Sequence, residues 1–300
     1  MNERVLYNKI RCLIQKKQSF RDICNCLGLT DSELMLIVER MKEYGICLAI
    51  KNGSFIKCEK PKSIEEEYHM DISKTHIRIG FLGDTHLASK YDDTETLNRI
   101  YNIAEDTSVD YMFHCGDFTD GVLGIPGFEN YLKEDSYVGQ VEYAIDKYPR
   151  YSGKTYAVSG NHDDYWTMLT SKEIISDIES SRSDIVYLGG NRRVVSINGL
   201  SIQIMHGDFN PITNDWFRER KYLNQITKKP HILHTGHRHT SYYNVFDDTH
   251  SVRTSSIMEE IIRPDGRFVK NDKSVYFADI YFDDDANPEK IDIKKLSFHK

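Results

Sequence analysis

Five stretches of this 300-residue chain share one design, an apolar run that stops abruptly at a residue able to bind a metal ion. Ile77-Arg78-Ile79-Gly80-Phe81-Leu82 leads into Gly83-Asp84-Thr85-His86, and Met112-Phe113-His114-Cys115 into Gly116-Asp117. Tyr156-Ala157-Val158-Ser159 leads into Gly160-Asn161-His162-Asp163, and Ile202-Gln203-Ile204-Met205 into His206-Gly207. The last is Ile232-Leu233-His234-Thr235, followed by Gly236-His237-Arg238-His239. Short apolar runs bounded by glycine read as buried strands. Ligands at strand ends can meet on one edge of a sheet although they lie far apart in the chain. Two residues apart on an extended chain, Asp84 and His86 point the same way, as do His237 and His239. Asp117 has two carboxylate oxygens and can bridge two ions; Asn161 offers a neutral carbonyl and His206 an imidazole. Turn preferences explain Asp, Asn and Gly at such positions, but not the histidines. Oxygen and nitrogen donors alone favour manganese, iron or zinc over copper(I) or an iron–sulfur cluster.

In this order, Asp-x-His, Gly-Asp, Gly-Asn-His-Asp, His and Gly-His-x-His resemble the five motifs of the calcineurin-like metallophosphoesterases, over about residues 76–300. The resemblance implies a two-sheet β-sandwich flanked by α-helices. It implies two divalent metal ions, manganese first, with iron or zinc as the others. Asp84, His86, Asp117 and His239 would hold one ion, and Asp117, Asn161, His206 and His237 the other. Two such ions, two aspartates and a bridging hydroxide leave a net positive centre that attracts a phosphate ester, which the hydroxide attacks in line. By the same resemblance His162 protonates the leaving oxygen, a role that suits an imidazole with its pKa near neutrality. Asp120 is the first candidate for its carboxylate partner and Asp163 the second.

The remainder of the chain must position these residues. Residues 1–60 carry eleven basic and seven acidic side chains, against 28 basic and 39 acidic beyond them. Apolar spacing predicts helices over residues 4–17, from Ser19 to Leu27, and from Thr30 or Asp31 to Tyr44, with Glu33 completing a capping box. Asn52-Gly53 between apolar segments predicts a hairpin. Three helices and a hairpin look like a winged helix-turn-helix domain, a fold often used on DNA. Residues 61–75 read as a linker, and 76–300 as the catalytic α/β domain, with helices over 93–107, 137–148 and 171–180 and strands over 242–246, 275–282 and 291–298. Cysteine usage, without a Cys-x-x-Cys pair, reads as buried thiols in a reducing compartment. No apolar run approaches the length of a membrane span and no secretion signal opens the chain, so a cytoplasmic protein is expected.

The reading is a two-metal phosphodiesterase or nuclease acting on nucleic acid or nucleotides, with DNA or RNA contact through residues 1–60. Alternatives are a phosphomonoesterase and a regulator whose domain only senses a ligand. The arginines that protein phosphatases of the family add beside Gly-Asp and Gly-Asn-His are missing here. Tyr165 and Trp166 at the pocket mouth could stack on a base, and Arg218 and Arg220 could steer a phosphate backbone. His114, His231 and His234 read as packed side chains.

Overall fold

The computed structural model describes residues 18–43, 48–51, 54–57, 67–122, 128–207, 218–262 and 268–298, together with Leu6, Lys9, Ile10, Leu13, Ile14 and Lys16. The Asn52-Gly53 turn, Tyr44 at the end of the third expected helix, and most of the first expected helix lie outside the described residues. Helix α1 (Phe20–Leu27) starts at Ser19, whose hydroxyl accepts the Asp22 N–H at 3.2 Å while Asp22 accepts the Ser19 N–H in return. Helix α2 (Asp31–Glu43) has the expected capping box between Thr30 and Glu33. Strands β1 (Leu48–Lys51) and β2 (Ser54–Lys57) pair antiparallel. Ile10, Ile23, Cys24, Leu34, Val38 and Phe55 bury a small core of their own.

The body is a mixed α/β structure built on two six-stranded sheets. One holds β4 (His76–Leu82), β5 (Tyr111–His114), β6 (Lys154–Ala157) and β7 (Ile185–Tyr187) in parallel. Strand β15 (Lys273–Phe282) pairs antiparallel with β4, and β16 (Pro288–Phe298) pairs antiparallel with β15 at the edge. The other contains β3 (Tyr68–Met70), β8 (Arg192–Ile197), β9 (Leu200–Met205), β10 (Ile232–Thr235), β12 (Thr249–Arg253) and β11 (Tyr242–Phe246), with β9, β10 and β12 parallel. β3 pairs with β8, so Tyr68–Met70, expected in the linker, belong to the body. A short hairpin of β13 (Glu260–Ile262) and β14 (Phe268–Lys270) stands apart from both sheets.

Alternation along the strands decides the layers. Ile77, Ile79 and Phe81 of β4 face Val195, Ile202, Ile204, Ile232 and Val252 across the sandwich. Met112, Ala157 and Phe277 point the other way. They pack on helices α3 (Thr94–Asp106), α4 (Tyr137–Lys147) and α6 (Ile174–Glu179), and on Trp166 of α5 (Asn161–Thr170). Helix α5 was not anticipated, and the expected 171–180 helix is the shorter α6. A short helix, α7 (Arg218–Leu223), packs Leu223 on the outer face of the second sheet. Among the described residues no helix is long and apolar enough to cross a membrane. Cys24 and Cys115 are buried free thiols, whereas Cys26 is exposed rather than packed as expected.

Candidate metal centre

Strands β4, β5, β6, β9 and β10 each end at a predicted ligand segment. Parallel strands deliver their C-terminal ends to one edge of a sheet. The two sheets thus bring Asp84, His86, Asp117, Asn161, His206, His237 and His239 together. Donor atoms of Asp84, His86, Asp117 and His239 form one group within 4.8 Å of one another, and those of Asp117, His206 and His237 a second. Asn161 Oδ1 lies 2.9 Å from both His206 Nε2 and His237 Nδ1.

The local reason differs from strand alternation. Asp84, His86, Asp117, His237 and His239 all lie beyond their strands with positive φ, between 45° and 68°. Residues other than glycine adopt this left-handed conformation only where surrounding contacts hold it, and it clusters at functional sites. Here a layer of hydrogen bonds does so. The Asp84 carbonyl accepts Ser256 Oγ at 2.8 Å and the Ile257 N–H at 3.1 Å. The Asp84 N–H donates to the Gly116 carbonyl at 2.9 Å, and the His86 N–H to that of Asp117 at 3.0 Å.

His114 belongs to this layer. Its Nδ1 accepts the Gly116 N–H at 3.2 Å, so Nε2 carries the proton and donates to Thr85 Oγ1 at 3.0 Å. Thr85 Oγ1 in turn donates to the Phe118 carbonyl at 2.9 Å. Burial holds His114 neutral, its pKa pushed down to about 3.

The orientation of each imidazole shows what the pocket fits. His206 donates Nδ1–H to the Cys115 carbonyl at 3.0 Å, which turns Nε2 toward Asn161 Oδ1 and Asp117 Oδ2, the latter 3.0 Å away. His86 donates Nδ1–H to Asp120 Oδ1 at 2.9 Å, which turns its Nε2 toward His239 Nε2 at 3.1 Å. Lone pairs that converge on lone pairs are a cation's environment, because no set of tautomers turns them all into hydrogen bonds. The donors therefore suit one divalent ion in each group, bound through nitrogen and oxygen. Burial opposes charge on His206, but Asp117 beside it raises the pKa; a divalent ion would compete with that proton.

Of the two Asp117 oxygens only Oδ2 faces both donor groups. Oδ1 accepts the His162 N–H at 2.9 Å. Oδ2 is the atom between the two groups, 3.0 Å from His206 Nε2 and 3.6 Å from His86 Nε2.

His162 stands at the rim, its side chain 15% exposed. Its Nδ1–H donates to the Asp120 carbonyl at 2.7 Å, with Asp120 Oδ1 3.3 Å away. Burial disfavours the imidazolium, yet Asp117 and Asp120 lift its pKa to about 10. Asp120 is itself held to about 2, burial being outweighed by hydrogen bonds from His162 and His86. Asp163 makes no such contact. It sits at the third position of α5 and accepts the N–H groups of Gly160, Phe118 and Thr119.

Among the expected substrate contacts, Tyr165 and Trp166 are 1% and 5% exposed and do not reach a pocket mouth. Helix α5 turns them inward. Trp166 donates Nε1–H to Gln140 Oε1 at 2.9 Å and packs edge-on against Tyr137. Arg218 is buried at 6% exposure beside Glu219, which pairs with Arg253 at 3.3 Å; only Arg220 of the two arginines faces solvent. His234 is buried, as expected, while His231 is half-buried and accepts the Ser201 N–H through Nδ1 at 3.0 Å.

The sequence model of the calcineurin-like phosphoesterases matches residues 77–275. No curated protein sequence matches the chain. Among solved structures, an archaeal phosphodiesterase is 16% identical, with 74% of this chain and 100% of that chain covered and a TM-score of 0.42. A predicted phosphoesterase of Streptococcus pneumoniae is 14% identical over 75% of this chain and 100% of its own, with a TM-score of 0.38. Vps29 of Entamoeba histolytica, in complex with zinc, is 14% identical over 74% of this chain and 100% of its own, with a TM-score of 0.37.

Proposed function

Because the chain belongs to the calcineurin-like phosphoesterase family, we propose that it is a two-metal phosphodiesterase acting on nucleic acid or nucleotides. The supporting observation is the convergence of the two donor groups on Asp117 Oδ2, with His162 poised beside them. Two divalent cations, when bound, supply the positive charge that activates water and braces the phosphorus oxygens. Asp84, His86, Asp117 and His239 would hold one, and Asp117, Asn161, His206 and His237 the other, with manganese the first choice and iron or zinc the others. The protein's own groups do the rest. Asp117 Oδ1, tied to the His162 backbone, fixes Oδ2 between the two positions. Asp120 holds the His162 ring through Nδ1–H and, with Asp117, favours its imidazolium, so that the Nε2 proton is free to pass to the leaving oxygen, leaving the neutral imidazole.

Residues 1–60 are read as a winged-helix head that helps select the substrate. Two helices and a hairpin around one small core support this, as does the excess of basic side chains. Asp31 and Glu33 in the first turn of α2 repel phosphates, so contact falls to Lys16 and Arg21.

The test compares bis-aryl and mono-aryl phosphate esters with Mn²⁺ present. Faster turnover of the diester is expected, and preference for the monoester overturns the assignment. Oligonucleotide binding by the full chain is expected to weaken with salt, less steeply for a Lys16→Glu/Arg21→Glu variant. An unchanged salt dependence removes nucleic acid from the role of the head.

A further inference from the structure

Asp163 is buried at 2% exposure, and both of its carboxylate oxygens are fully engaged. Oδ2 accepts the N–H groups of Phe118 at 3.0 Å and Gly160 at 2.9 Å. Oδ1 accepts the Thr119 N–H at 2.9 Å and the Thr119 hydroxyl at 3.0 Å. A carboxylate has about four lone-pair sites, so these four donors exhaust it and leave none for the His162 ring. The donors come from two loops. Phe118 and Thr119 follow Asp117 directly, and Gly160 precedes Asn161 directly.

The same loops touch without side chains between them. A Cβ on Gly160 would fall 2.2 Å from Asp117 N and Oδ1, and one on Gly116 would fall 2.7 Å from Gly160 N. Asp117 itself is left-handed, with φ 51°. Besides this packing and the Asp163 carboxylate, two bonds of His162 join the Asp117 loop to the start of α5, its N–H to Asp117 Oδ1 at 2.9 Å and its Nδ1–H to the Asp120 carbonyl at 2.7 Å.

We propose that Asp163 is a positioning residue that fastens the Asp117 loop to the Asn161 loop and thereby sets the distance between the bridging carboxylate and the second group of ligands. The inference rests on the two-metal reading but makes a claim about the polypeptide that holds without metal. In Asp163→Asn one oxygen becomes an NH₂ that faces N–H donors, so the two loops lose their fastener while the volume is kept.

Two measurements on the full chain test it. The first is amide hydrogen exchange without metal. Phe118, Thr119 and Gly160 are expected to exchange at least about tenfold faster in Asp163→Asn, with strand amides unaffected; parent-like exchange at these three overturns the clamp. The second is a Mn²⁺ titration by calorimetry together with steady-state kinetics. Weaker binding, by about tenfold, is expected, with kcat recovering at saturating Mn²⁺, KM unchanged and the pH profile retained. A parent-like Mn²⁺ affinity, or an altered pH profile with affinity intact, overturns the proposal, the latter placing Asp163 in the proton path instead. Should Asp163→Asn not fold, Thr119→Val removes one of the four bonds and is expected to move both readouts in the same direction by less; no movement there also counts against the clamp. If Asp117→Ala binds Mn²⁺ as the parent does, the two-metal reading fails while the exchange result still stands.

Discussion

His86 and His206 face each other across Asp117 Oδ2, and each holds its Nδ1–H in a hydrogen bond that aims Nε2 inward. Behind His206 stands a backbone carbonyl, that of Cys115. Behind His86 stands the carboxylate of Asp120, which also holds His162. A carbonyl orients an imidazole; a carboxylate orients it and makes it a stronger donor. The Asp84 side of the centre therefore shares its support with His162, the proposed proton donor, and the His206 side does not.

Removing what the two sides share has the largest expected effect. Asp117→Ala should abolish Mn²⁺ binding in both groups and lower kcat/KM by more than the ~10³-fold that one lost stabilising donor costs. Retained turnover would show that Oδ2 is not the junction. Next is the proton donor: His162→Gln should lower kcat by about 10²–10⁴-fold with Mn²⁺ affinity preserved. An ester with a leaving group acidic enough to depart unprotonated should escape most of the loss, and equal loss with both esters would contradict the role. Asp120→Asn comes third. A loss of about 10–100-fold is expected in both rate and Mn²⁺ affinity, confined to the tighter or the weaker of the two binding events. If both events weaken alike, the asymmetry between the halves is not functional.

The smallest effect concerns the layer underneath. His114 in β5 and His234 in β10 are both buried and both pushed down to about 3, by burial first. His114 has two hydrogen bonds of 3.0 and 3.2 Å, whereas His234 has a contact of 3.4 Å to Thr254 and no partner for Nδ1 among the described residues. The unfolded chain protonates His234 near pH 6.5 while the folded protein keeps it neutral. Stability is then complete above pH 6.5 and falls as the pH drops toward 3, by about 1.4 kcal/mol per pH unit for such a group. Asp84 and His114 are the charged and titratable neighbours that act on it. His234→Leu should shrink the loss between pH 6.5 and 5 by about 2 kcal/mol in urea unfolding; an unchanged slope would mean that His234 does not set it.

The clustered Asp, Asn and His residues were legible because type and order carried them. Each candidate ligand sits just past an apolar run, and the parallel strand ends did the gathering. The backbone at those positions was not legible. An extended Asp-x-His was expected, and the chain turns left-handed at Asp84 and His86 instead. Adjacency in sequence misled at Tyr165 and Trp166, because a helix begins at Asn161, buries both side chains and carries Trp166 toward Gln140 and Tyr137. Arg218 misled for the opposite reason: its charge suggested a contact to a phosphate backbone, but it is buried beside Glu219. The role of Asp163 left a faint trace. An acid three positions after Gly160 matches the capping pattern at a helix start, and it points to a backbone partner rather than to an imidazole.

The left-handed ligand positions have a consequence for how the centre comes into being. A short peptide copied from any one motif would relax to the right-handed or extended shapes that its residues favour by themselves. The geometry is therefore not stored in the motifs. It is imposed once both sheets have docked, and it would vanish as a whole if they separated. Copying the seven side chains into another scaffold would not reproduce it unless the inverted backbone at five of them came too.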